Sequence, residues 1–71
     1  MNLDVVMENF MMRLFIESIN ALETPDWQWP DSWNSPKKQN FLKQSMNYAE
    51  KHELYEQCAI IKKVQDQLNE A

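Results

Sequence analysis

A chain of 71 residues with net charge −4, three tryptophans, five methionines, one cysteine and no glycine has room for one domain and one modest core. At this length about 60% of the unfolded surface is buried, so stability has to come from disulfides, metals, dense packing or a partner chain. The lone Cys58 and the lone His52 exclude an internal disulfide and a Cys/His zinc set, and the missing glycines exclude a phosphate-binding glycine loop and a glycine-framed nucleophile.

No apolar run approaches the roughly 18 residues that a membrane span needs, and Asp4 and Glu8 stand where a secretory signal would be basic. With one thiol, suited to a reducing compartment, the chain reads as cytoplasmic. Its charge is uneven. Residues 1–35 carry −5, with Arg13 alone against six acids, and residues 36–71 carry +1 from six lysines and five acids. An acidic chain of this kind is not expected to hold nucleic acid by charge.

The first segment, NLDVVMENFMMRLFIESINAL, has helical periodicity along two neighbouring lines. Leu3, Val6 or Met7, Phe10 and Leu14 form one; Met12, Phe15 or Ile16, Ile19 and Leu22 form the other. Asn2 is the expected N-cap, Asp4 and Glu8 favour the positive end of the helix dipole, and Pro25 forces the helix to end near residues 21–23. Val5 and Met11 widen the apolar face further. A face that broad needs two partners, or one partner within the chain and a second subunit.

The connector TPDWQWPDSWNSP holds every tryptophan and every proline. On a structural reading, Trp27, Trp29 and Trp33 fold over the open side of the helices as a lid, with Pro25, Pro30 and Pro36 limiting the entropy lost. On a functional reading, one or more rings stay exposed and anchor a partner, a role in which Trp and Tyr are enriched. In extended backbone Trp27 and Trp29 should point the same way and Gln28 the opposite way; one pair packed inward with Trp33 outward, or the reverse, would satisfy both readings. One short helical turn is expected around Asp31 to Asn34.

The second helix is expected over residues 36–51, with Ser35 as N-cap and Pro36 at the first helical position. Its stripe is narrow: Phe41, Leu42, Met46 and Ala49, with Tyr48 at the margin. The polar break Lys51-His52-Glu53 precedes a third helix over residues 54–69, in which Leu54, Cys58, Ile61, Val64 or Gln65, and Leu68 make the stripe. So short a break predicts an antiparallel hairpin. The fold class is therefore all-α: a long N-terminal helix over residues 3–22, a Trp/Pro-rich connector over 23–35 and a C-terminal helical hairpin, forming a single small domain.

Within that hairpin Leu42, Met46, Ala49, Leu54, Tyr55, Glu56, Cys58-Ala59, Ile61 and Leu68 follow the spacing of the UVR motif. Residues 42–68 thus resemble the short helical hairpin of the UvrB and UvrC excision-repair proteins. The chain departs from that pattern at Lys62-Lys63, where the family has Arg-Asp, and at Gln65, where it has an aliphatic residue. The resemblance implies pairing between helical hairpins; it implies neither an enzyme nor DNA repair.

Catalytic chemistry has little footing. His52 lies in the hairpin turn and Cys58 within the third helix, with no orienting third group. Cys58 reads as a small buried hydrophobe. Glu23, Asp26 and Asp31 lack the spacing of a calcium loop and read as loop solvation and caps. The lysines of PKKQNFLKQ read as a solvated helix face. No catalytic residue, cofactor or metal is expected.

The leading function is a small non-enzymatic binding protein, an adaptor or inhibitor that docks on a larger protein. Homodimerisation through the first helix is a further route, and no membrane partner is expected. Compact chains of this composition are frequent among phage-encoded and accessory regulators, which is analogy. The candidate partner-binding residues are Trp27, Trp29, Trp33, Met11, Phe15 and Tyr55. The alternative is a nucleic-acid-associated module that uses the second-helix lysines and an exposed tryptophan for stacking.

Overall fold

Asn2 begins the first helix as its sequence position suggests: its backbone is extended, and its side chain accepts a hydrogen bond from the amide of Asp4 at 3.0 Å. The computed structural model describes residues 2–70. It contains three helices, α1 (Leu3–Ala21), α2 (Ser35–Lys51) and α3 (Tyr55–Glu70), and no strand among the described residues. The chain is all-helical, with a long first helix and a helical hairpin at its C-terminal end. α1 closes before Pro25 through i→i−3 bonds from the amides of Leu22, Glu23 and Thr24, and the Thr24 hydroxyl donates to the Ala21 carbonyl at 2.7 Å. These bonds satisfy carbonyls that the end of a helix leaves free.

α2 is capped one residue earlier than its sequence suggests. Asn34, not Ser35, is the N-cap, accepting from the Lys37 amide at 2.9 Å. Asn and Ser are near-equal caps, and with Asn34 outside the helix Ser35 becomes its first residue and Pro36 falls within the first turn, where no amide is needed. Just upstream, the Trp33 amide donates to the Pro30 carbonyl at 3.0 Å, so the expected turn spans residues 30–33.

The hairpin turn is a Schellman closure. The Leu54 amide reaches back to the Ala49 carbonyl at 2.8 Å and the Glu53 amide to that of Glu50 at 3.2 Å. Glu53 occupies the left-handed position at φ 57, where glycine is usual. Glu53→Gly is therefore expected to stabilise the fold by about 0.5–1 kcal/mol, because the Cβ strain relieved exceeds the added freedom of the unfolded chain. A higher urea midpoint with an unchanged m-value would verify this; a lower one would show that Glu53 contributes something besides the turn.

The core takes one fully enclosed large side chain from each helix: Ile19, Leu42 and Ile61, joined by Ala49, Ile60 and Val64. α2 packs closely along α3, and α1 lies against α3. The buried line of α3 differs from the expected one. Gln57, Ile60, Ile61 and Val64 are enclosed, whereas Leu54, Cys58 and Leu68 are only partly buried. The reason is that α3 has two neighbours, and its most covered face lies between them. Gln57 can be buried there because its side-chain amide donates to the Asn20 side-chain carbonyl at 3.0 Å, tying α3 to α1. Ser45 on α2 is buried likewise, which its residue type alone did not suggest.

Candidate functional site

The two apolar lines of α1 have different fates. The line of Met12, Phe15, Ile16, Ile19 and Leu22 turns toward the hairpin and is half-buried or buried. The other line stays open: Leu3 is 74% exposed and Phe10 55%, and Val6, Met7, Met11 and Leu14 are exposed with them, while Val5 is exposed on the opposite side of the helix. Scattered exposed apolar residues are ordinary, but six along one side of a helix form a patch of the kind that marks an interaction site.

Beside this face, side chains of α1 and α2 border an open groove. One stretch, of about 310 Å³, is lined by Met11, Phe15, Phe41, Gln44, Ser45 and Tyr48. A second, of about 500 Å³, shares Met11 and Tyr48 and adds Asp4, Met7, Glu8, Lys51 and His52. Phe15 and Tyr48 close its floor with ring centroids 4.4 Å apart, and Tyr48 also meets the tilted His52 ring at 4.3 Å. One end of the groove is therefore apolar and the other mixed in charge.

The three tryptophans form one cluster on the start of α2. Trp29 is its hub, 4.7 Å from Trp27, 5.6 Å from Trp33 and 5.9 Å from Phe41, while Trp33 lies 5.5 Å from Phe41. All three are half-buried, and Trp29 packs on the core. Trp27 and Trp29 do meet while Gln28 is exposed, and Trp33 joins the same cluster through Trp29. Nor does the lid cover the open face of α1, because Phe41 draws the rings toward α2.

The lysines expected to be a solvated face are partly engaged. Lys37 Nζ lies 5.0 Å from the Trp33 ring centroid and Lys38 Nζ 5.7 Å from that of Trp29. The electron-rich ring faces attract the ammonium groups, and the alkyl stems cover indole surface. Lys43 is exposed.

Of the other candidates, Met11 is exposed at the groove, Phe15 is half-buried in it, and Tyr55 is 71% exposed at the start of α3, away from both groove stretches. The sequence reading thus nominated Met11 and Phe15 of this surface but passed over Leu3, Met7, Phe10 and Leu14 as site residues. The signal was present in the first apolar line, with no means of telling which line the hairpin would cover.

His52 shares the groove with Asp4, Glu8 and Lys51, while Cys58 is half-buried on α3 and packs on the core. Among the described residues no three His, Cys, Asp or Glu side chains assemble as metal ligands, and no helix is long and apolar enough to cross a membrane. No family model, curated protein or solved structure matches the chain.

Proposed function

We propose that the chain is a non-enzymatic protein–protein interaction module, an adaptor or inhibitor that docks on a larger protein through the groove between α1 and α2. The observation that carries this reading is the uncovered apolar surface of α1, running from its outer face into a groove floored by Phe15 and Tyr48. An interface core of exposed Met and aromatic side chains with a polar rim, here Asp4, Glu8, Lys51 and His52, is the composition that protein partners recognise. The likeness of residues 42–68 to a hairpin that pairs with other hairpins points the same way.

The nucleic-acid alternative draws less support. Stacking on bases needs free ring faces and free lysines, and Lys37 and Lys38 already lie over Trp33 and Trp29.

The test is capture from a cell extract with wild type and Met11→Glu side by side. Met11 is exposed and lines both groove stretches, so the variant should keep its far-UV spectrum and thermal midpoint. It is expected to lose a defined, larger prey that wild type retains. Equal recovery by both, or no specific prey for either, would contradict docking through the groove.

A further inference from the structure

We infer that a second copy of this chain covers the outer face of α1, forming a two-fold symmetric antiparallel helix pair. The inference rests on reading α1 as a docking surface and assigns the occupant of its outer side, which borders the groove at Met7 and Met11.

The geometry begins with spacing. Leu3, Met7, Phe10 and Leu14 follow one another at steps of four, three and four, the spacing of the seam in a coiled coil. At 3.6 residues per turn these positions lie on the side of the helix opposite Met12 and Ile19, and Ile19 is enclosed by the hairpin. The seam therefore lies away from the core, with Met7 at its border with the groove, and all four of its side chains remain exposed.

Area favours a second copy. The side chains of the seam and its flanks, Val6 and Met11, are 43–74% exposed, and complete mutual coverage of two such faces would reach roughly 1,200 Å², the lower bound for a stable, specific interface.

The pattern is also self-complementary. With the helices antiparallel and the two-fold axis passing between Glu8 and Asn9, Leu3 of each copy meets Leu14 of the other, and Met7 meets Phe10. Four apolar layers form, each contributed from both sides, which is the requirement of an isologous contact. Among the residues between Leu3 and Leu14 only Asp4, Glu8 and Arg13 are charged. In this register Asp4 flanks Met11 of the other copy and Arg13 flanks Val6, so no like charges oppose each other.

Charge also selects the direction. Glu17, Glu23, Asp26 and Asp31 follow the seam. A parallel pair gathers both acidic sets at one end, whereas an antiparallel pair separates them and brings Glu17 toward the positive N-terminal end of the facing helix.

Sedimentation equilibrium of wild type and Phe10→Glu tests the pairing. Wild type should be a reversible dimer in the micromolar to sub-millimolar range. Phe10→Glu, whose site is exposed in the single chain, should keep its helical spectrum and raise the dissociation constant by roughly 100-fold or more. A monomeric wild type, or a variant that dimerises equally well, overturns the inference.

Direction is read by disulfide formation in a Cys58→Ala background. A mixture of Leu3→Cys and Leu14→Cys chains should cross-link one to the other, and Leu3→Cys alone should not. Cross-linking of Leu3→Cys with itself overturns the antiparallel arrangement. If wild type is monomeric while prey capture still depends on Met11, the second copy is ruled out and the docking reading survives. Loss of both rules out both.

Discussion

Ile61→Ala is expected to lower the stability of the fold by about 3–5 kcal/mol, the upper part of the range for emptying a fully enclosed aliphatic site. Ile61 is 0% exposed and sits on α3, the helix that contacts both α1 and α2. Its side chain cannot be replaced by a small shift of one neighbour, because closing the void on one side opens it on the other. A chain of this length has a total stability of about 4–11 kcal/mol, so a variant of a wild type at the lower end of that range would be largely unfolded near body temperature.

Urea unfolding followed by tryptophan emission and by far-UV dichroism measures this directly. With an m-value near 1 kcal/mol per molar, usual for a small domain, the midpoint should fall by about 3 M or more. Ile61→Val removes one methylene and should cost only about 0.5–1.5 kcal/mol. A loss below about 1 kcal/mol for Ile61→Ala would mean that α3 does not join the other helices in one core.

The second large effect belongs to Trp29. Its ring touches Trp27, Trp33 and Phe41, lies under the Lys38 ammonium and packs on the core. Removing it deletes the common neighbour of the other rings and unseats the connector from α2. Because the ring is half-buried, the expected loss is about 2–4 kcal/mol rather than the full cost of a buried indole.

Trp27→Ala provides the comparison. Among the described residues the one aromatic ring it meets is that of Trp29, so it should cost about 1 kcal/mol. In Trp29→Ala the emission of the two remaining indoles should shift to the red as their shared face becomes wet. Equal costs for the two substitutions, or an unshifted spectrum, would contradict a hub at Trp29. The same reasoning makes Trp29→Ala a poor probe of partner binding, since loss of binding would follow from loss of fold.

Local rules read from the chain match most of the architecture. Apolar steps of three and four, Asn2 before an apolar run, Pro25 as a barrier and Lys51-His52-Glu53 as a break are short-range signals, and they place three helices and a hairpin to within one residue of the observed ends. They operate within a turn or two of helix, which is why they are legible without knowledge of neighbours. The cap of α2 lay at the limit of that legibility, since Asn34 takes the place expected of Ser35 and the two residue types are near-equal caps.

What lay beyond it was every choice between equivalent surfaces. α1 carries two apolar lines of similar strength, and only packing against α3 assigned Ile19 to the core and left Phe10 in solvent. The connector was recognisable as a lid, but Phe41, 8 residues beyond Trp33, decided what it covers. Burial of Gln57 required Asn20, a partner 37 positions away. Periodicity states that a helix has an apolar side, while the identity of the neighbour, and hence which side remains for a partner, arises from contacts between residues distant in sequence.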